Sequence, residues 1–433
     1  ARNNLQQAIT TPKDSLVKFN KNIASDYYAG SGLRYLEAYL GGNVFKQALK
    51  DFYSTYNGKL LSDNALQHTL ESHTKKPINW FFEGFLKSRE AIDFKIQKAV
   101  TKQDSTVITL TQKSNSALPV VVTQYVKNEA INTQWSTPFI GKDTIKFPFH
   151  PKARFAINAD GVIPEINRRN NYHKPFNLLN KPLQFRPFQD AENPEYNQLF
   201  FMPIFEYNLY DGVTVGTRVY NKTILPRPIQ YDIEPQYGLT SKSLVGRVKL
   251  RYTKLYPKGS LYALRLGVNA SNFSYNTNLF YKRLSAYLTL AYRPKDLRSN
   301  QRQFLQLKTI NVLRDQAVGQ PLETPNYSIF NLRYNYSNRN LINFFTGNLD
   351  YQLAKNFSKL ALEVEYRKLY LNNRQLNLRF FAGTFLFNDT PNNNFFNFAL
   401  DRPTDYLFNY NYYGRSEAAG LFSQQIVVAD GGF

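Results

Sequence analysis

The stretch Val245-Gly246-Arg247-Val248-Lys249-Leu250-Arg251-Tyr252-Thr253 decides the fold. Val248, Leu250 and Tyr252 share one parity, and Arg247, Lys249, Arg251 and Thr253 share the other. Successive side chains of a strand leave opposite faces, so this alternation makes a ribbon with one apolar wall and one polar wall. The same arrangement sets Phe330, Leu332, Tyr334 and Tyr336 against Asn331, Arg333, Asn335 and Ser337. Alternating segments follow one another at 197–208, 211–221, 228–238, 244–256, 260–272, 281–294, 302–313, 326–337, 341–353, 358–371 and 375–387, with a further one within 419–429. Most exceed the roughly five or six residues of a globular strand and match the roughly 9–11 that cross a bilayer with tilt. The expected fold class is therefore mostly β, with residues 196–433 forming a transmembrane antiparallel β-barrel of about 12–14 strands. The alternative, a soluble stack of antiparallel sheets, has to bury many long aromatic faces.

The connections carry an independent signal. If the chain enters the barrel from the periplasm, connections after odd-numbered segments lie outside and are free to be long. The two longest, 314–325 and 388–417, follow the seventh and eleventh segments. Asn338-Arg339-Asn340 and Asn372-Asn373-Arg374 are tight polar turns after the eighth and tenth. This parity predicts an outer-membrane protein of a Gram-negative bacterium, with the preceding domains periplasmic. Outer-membrane lipid and lipopolysaccharide are then the expected partners, together with proteins of an envelope complex.

Composition narrows the classes. The chain has a formal charge of +22, 31 Tyr, 34 Phe, one Met (Met202), two Trp (Trp80 and Trp135) and no Cys. A mean hydropathy of −0.47, with no apolar run near the roughly 20 residues a membrane helix needs, excludes a helical bundle in the membrane. It does not exclude a barrel, in which only alternate residues meet lipid. Without Cys there are no disulfides, thiolate metal sites or cysteine nucleophiles. The basic residues are dispersed rather than blocked, and no recognition motif accompanies them, so no nucleic-acid partner is expected.

Ahead of the barrel the period changes twice. Residues 1–97 read as a small helical subdomain. Asn43 caps a helix carrying Phe45, Leu49, Phe52, Tyr53 and Tyr56, and Gly41-Gly42 ends the preceding one, which carries Leu33, Leu36, Tyr39 and Leu40. Ser62 or Asp63 caps a third with Leu66 and Leu70, and a fourth packs Trp80, Phe81, Phe85 and Leu86. Residues 98–166 read as a small β-sandwich with strands at 107–110, 118–126, 144–149 and 154–158. Residues 167–195, with Pro175, Pro182, Pro187 and Pro194, read as a linker.

Sites of chemistry are sparse. No His-Glu-x-x-His is present, and His68 and His73 are spaced to face different sides of a helix, with His150 and His173 isolated. No phosphate loop, nucleophile elbow or nucleotide fingerprint occurs. The barrel's polar parity includes Glu206, Arg218, Asp232, Glu234, Arg247, Lys308, Arg333, Glu363 and Glu365. These charges either line a water-filled pore or bridge one another across a filled interior.

The first region resembles a known family. Tyr27-Tyr28-Ala29-Gly30, Leu36-Glu37-Ala38-Tyr39-Leu40-Gly41-Gly42, Phe45-Lys46-Gln47-Ala48-Leu49 and Asn79-Trp80-Phe81-Phe82-Glu83-Gly84-Phe85-Leu86 are similar to the end of the catalytic domain of M1-family (gluzincin) zinc aminopeptidases. The stretch ending Ile163-Pro164-Glu165-Ile166-Asn167-Arg168-Arg169-Asn170-Asn171 is similar to the β-domain that follows it in Bacteroidota members, so the resemblance spans about residues 20–171. It implies that Tyr27 donates a hydrogen bond to the developing oxyanion, with Tyr28 as the alternative; either is also readable as a core aromatic. It also implies that the zinc ligands and catalytic Glu lie upstream of Ala1, so no cofactor is expected in this chain. No leader is visible, and the chain reads as a mature form or a C-terminal portion. Arg379-Phe380-Phe381-Ala382-Gly383-Thr384-Phe385-Leu386, Asp405-Tyr406, Gly414-Arg415-Ser416-Glu417 and Ser423-Gln424-Gln425 resemble C-terminal regions of Bacteroidota envelope proteins. Ala429-Asp430-Gly431-Gly432 does not alternate like a closing strand, so the frame is expected to continue past Phe433. The functions implied are a membrane-anchored zinc peptidase in the longer protein, a non-catalytic barrel subunit of a secretion or barrel-insertion assembly, or a channel.

Overall fold

In a computed structural model, helix α1 (Ser25–Leu40) turns Tyr35, Leu36, Tyr39 and Leu40 inward, the spacing of an apolar helical stripe. The structure describes residues 5–62, 64–173, 180–188, 191–319, 322, 325–390, 394–398, 405–409, 411–414 and 425–428. The chain divides into two units, 1–184 with 193–197, and 185–192 with 198–433.

In the first unit, α1 stops at Gly41, whose φ of 100° a side chain would strain and whose N–H donates to the Glu37 carbonyl. Helix α2 (Gly42–Tyr56) starts at the next residue and buries Phe45 and Ala48. Asn43 therefore lies inside the first turn and is not the cap. Helix α3 (Ala65–His73) buries Ala65 and Leu70 and is preceded by Asn64 rather than Ser62; Asp63 lies outside the described residues. Trp80–Leu86 winds as a π-helical segment that buries Trp80, Phe81 and Phe85. A Cβ on Gly32 would sit 2.2 Å from Cε1 of Phe85. The absence of a side chain at Gly32 is what lets the Phe85 ring reach α1.

Strands β1 (Phe94–Lys102), β2 (Ser105–Gln112), β3 (Val121–Val126), β4 (Glu129–Trp135), β5 (Lys142–Pro148), β6 (Arg154–Ile157) and β7 (Tyr172–His173) follow. They form two sheets, β1-β2-β5 and β4-β3-β6-β7. Ile108 and Leu110 from one sheet and Val122, Phe155 and Ile157 from the other are almost wholly buried. The same buried cluster continues through Phe94 and Val120 to Tyr35, Trp80 and Phe85, and the Tyr35 hydroxyl donates to the Pro119 carbonyl. Residues 1–97 and 98–166 thus share one core.

Buried Glu165 ties this core together. Its Oε1 accepts from the Phe94 N–H at 3.0 Å, and its Oε2 from Asn158 Nδ2 at 2.9 Å and Asn171 Nδ2 at 2.6 Å. Burial pushes its carboxyl up to about 7 despite those three donors. The folded state then holds the proton more tightly than the unfolded chain, whose ordinary value is 4.5. This contribution to stability is complete below that value, and about 3 kcal/mol is lost as pH rises through 7. Melting followed by the fluorescence of Trp80 and Trp135, both in this unit, should show that decline. Glu165→Gln should flatten it, and an unchanged slope in that variant would assign the decline to another group.

In the second unit, period-two alternation has become a single large sheet. Its strands are β8 (Leu183–Pro187), β9 (Asn197–Asn208), β10 (Gly212–Tyr220), β11 (Ile229–Gly238), β12 (Ser243–Leu255), β13 (Leu261–Asn276), β14 (Leu279–Tyr292), β15 (Gln301–Arg314), β16 (Tyr327–Arg339), β17 (Asn343–Ala354), β18 (Phe357–Leu369) and β19 (Gln375–Asn388). They form a 12-stranded sheet in sequence order. From β9 onward every neighbouring pair is antiparallel. β9 to β19 fall on the alternating segments of the sequence, and β8 comes from the stretch read as a linker. A separate hairpin pairs β20 (Asn411–Gly414) with β21 (Gln425–Val428). Arg415, Ser416, Glu417, Ser423, Gln424 and residues 429–433 lie outside the described residues. Among those described, β8 and β19 are edges, so the mostly β architecture is present and a closed ring of strands is not.

The sheet curves toward its polar face. Asn208 Nδ2 on β9 donates to the Ser274 carbonyl on β13 at 2.8 Å, although four interstrand steps in a flat sheet span about 19 Å. Arg247 on β12 likewise reaches Glu206 on β9, both on the polar parity. The convex face carries the apolar parity, and its side chains are uncovered: Leu250, Leu266, Leu284, Leu349, Leu378 and Phe380 are all among the exposed hydrophobics.

Candidate functional site

The concave face gathers the charges that alternation assigned to it. Register sets Thr214 opposite Glu206 and Arg247 opposite Glu234, with Gln236 two residues from Glu234 on the same face of β11. Arg247 binds both Glu234 and Glu206. Gln236 Nε2 donates to Glu206 at 3.1 Å and accepts from the Thr214 hydroxyl. One step along, Arg218 donates to both oxygens of Asp232 at 2.7 and 2.6 Å. The two-pronged guanidinium fits a carboxylate, so each pair fixes the spacing of two strands. These pairs run along the wall between β9 and β12.

A second network lies on β16–β19. Buried Asp350 accepts from Arg333 Nε at 2.7 Å, Asn331 Nδ2 at 2.9 Å and Gln352 Nε2 at 2.6 Å. Arg379 pairs with Glu363 at 2.6 Å. Residues 405–409 pack on this wall: the Tyr406 hydroxyl donates to Gln352 at 2.7 Å and the Tyr327 hydroxyl to the Tyr406 carbonyl at 2.9 Å. Lys359, on β18, donates to the Phe396 carbonyl at 2.8 Å, and Lys308, on β15, to the Leu407 carbonyl. A cavity of about 490 Å³ lies between β9–β14 and Phe408, with Glu206, Arg247, Phe273 and Arg283 in its lining. The sequence reading placed 388–417 in an outer loop and missed this inward packing. Its available signal was composition: Phe395, Phe396, Phe398, Tyr406 and Phe408 are unusual in a solvated loop.

The two tyrosines singled out by resemblance occupy different surroundings. Tyr27 is 77% exposed on the first turn of α1. Tyr28 is partly buried and stacks on Phe85 at 4.7 Å, and burial pushes its hydroxyl up to about 12. His73 is held between the Thr69 carbonyl at 2.8 Å and Asp51 at 2.7 Å, which raises its pKa. His68 lies 4.0 Å from Glu71. Among the described residues no group of three or more His, Cys, Asp or Glu could hold a metal ion. The donor set does not fit a zinc site, and no step through zinc is assigned to this chain.

No protein-family model matches the chain, and no curated protein matches it.

Proposed function

We propose that this protein is held in an outer membrane by a β-barrel built from the large sheet, with the helix–sandwich unit as an M1-peptidase-like periplasmic domain. The observation that carries the reading is the uncovered apolar face. Large contiguous apolar surface is unfavourable in water and favourable against lipid chains. Strands of 12 to 16 residues in β12–β18 exceed the span a bilayer needs, and curvature toward the polar side is the sense a barrel requires. Lipopolysaccharide phosphates are the matching partner for the chain's basic excess. Within this reading the present residues anchor and scaffold; peptide hydrolysis belongs to zinc ligands outside them. The 77% exposure of Tyr27 favours the second reading, a non-catalytic subunit of an envelope assembly.

The Cys-free chain makes the test direct. Single cysteines at Leu250 and Leu349 should take up a dye that lipid-soluble quenchers reach in reconstituted vesicles. Cysteines at the neighbouring Lys249 and Asn348 should instead report water. Equal quenching at all four positions would sink the barrel.

A further inference from the structure

We propose that residues 394–398 and 405–409 act as a latch that seals the barrel lumen, and that releasing it opens an anion-selecting passage. The inference rests on the barrel reading above. The main buried apolar cluster of the second unit lies where these residues meet the wall: Ile310, Val312, Ile329 and Phe357 pack with Phe396, Tyr406 and Leu407. Apolar burial on the concave side of a barrel wall fills the lumen rather than facing lipid.

The polar contacts at this place are unusual in kind. Lys359 is 4% exposed, and neither it nor Lys308 pairs with a carboxylate among the described residues. A buried ammonium is costly unless its hydrogens are accepted. Lys359 finds the Phe396 carbonyl at 2.8 Å and ring faces of Phe398 at 4.6 Å, Tyr406 at 5.1 Å and Phe385 at 5.6 Å. Lys308 finds the Leu407 carbonyl. These acceptors come largely from the docked residues, so undocking uncovers both ammonium groups together. Gly383 leaves room for Phe398, since a Cβ there would lie 2.8 Å from its ring. Arg283 stacks on Phe408 at 4.3 Å.

The wall beneath is left with excess positive charge. Asp232, Glu234 and Glu206 are held by Arg218 and Arg247, Asp350 by Arg333, and Glu363 by Arg379. Among the described residues Lys249 and Arg251 on β12 and Arg265 on β13 form no carboxylate bridge, although Lys249 lies opposite Asp232, and Arg251 donates to the Gln230 amide oxygen. Glu365, whose one partner among the described residues is the Thr346 hydroxyl, offsets one of them. A low-dielectric wall focuses such a field along the lumen and concentrates anions.

The test is planar-bilayer recording of the full chain under a KCl gradient. Wild type should hold a quiet membrane. Lys308→Met with Lys359→Met keeps side-chain bulk and removes both charged donors. It should open about tenfold to a hundredfold more often, the ratio expected for lost charged hydrogen bonds. Its reversal potential should move toward that of chloride. Lys359→Met alone should show a smaller increase, and Lys359→Arg, which keeps donors and ring contact, should stay quiet. Each variant also carries the Leu250→Cys reporter. Lipid quenching together with a quiet double variant, or with a wild type that conducts as well as the double variant, overturns the latch. Potassium preference overturns the selectivity. Absence of lipid quenching overturns the barrel itself.

Discussion

Leu250→Arg is expected, on the proposed barrel reading, to cost the large sheet about 2–4 kcal/mol, the penalty of a guanidinium near the middle of a lipid-facing strand. Leu250 sits midway along β12 opposite Tyr231 and Val268, and its side chain is already 45% exposed. In water such a surface substitution shifts stability by only about 0.5 kcal/mol, so the size of the effect reports the solvent rather than packing. Lys249→Ala, one residue earlier on the concave side, should change little. Urea unfolding in lipid vesicles, or the fraction of chain that resists dissociation on a cold gel, measures both. Equal small effects at the two positions would return the sheet to the soluble class.

Phe85→Ala should destabilise the first unit by about 3–5 kcal/mol, as for other fully buried aromatics. Phe85 is 1% exposed, lies parallel to Phe81 at 5.8 Å and stacks on Tyr28 at 4.7 Å. Removing it leaves a void that these two rings, and the Tyr35 ring edge-on at 6.3 Å, cannot collapse into without leaving their own positions. The informative experiment pairs it with Gly32→Ala. In wild type that methyl would fall within 2.2 Å of the Phe85 ring, and overpacking outweighs the gain of about 1 kcal/mol in helix propensity. In the Phe85→Ala background the same methyl meets empty space and should stabilise. The sign of Gly32→Ala should therefore invert between backgrounds, and additive effects would refute the close approach.

The large sheet was legible because its strands are long, regular and unbulged over most of their length, so parity persists from end to end. Phe330 to Tyr336 and their polar neighbours face as the sequence arranges them. The strands that escaped notice lack that persistence. β1 has a register shift between Ile96 and Lys98, which moves its side chains out of phase after two apolar residues. β4 is exposed over most of its length and has no apolar face to display. β8 is short and ends in Pro187 at an edge, where a missing N–H is tolerated. The helix starts were misplaced because Gly41 breaks α1 and admits α2 in one residue, leaving no space for Asn43 as a cap. Of the candidate site, the wall's charges were readable from parity. The docked residues were not, since a loop that folds back carries no period, and the partners of Lys308 and Lys359 are backbone carbonyls, which every sequence has.

The order of the large sheet has a kinetic consequence. From β9 to β19 each strand pairs with its sequence neighbour, so every pairing step closes a loop no longer than one hairpin. Such a wall can assemble by adding one strand at a time to a growing edge, without waiting for distant segments to meet. The Asn208–Ser274 hydrogen bond is an early exception, joining strands four apart. It sets the bend while only the first five strands of that series are in place, so the ribbon starts to coil well before its last strand arrives.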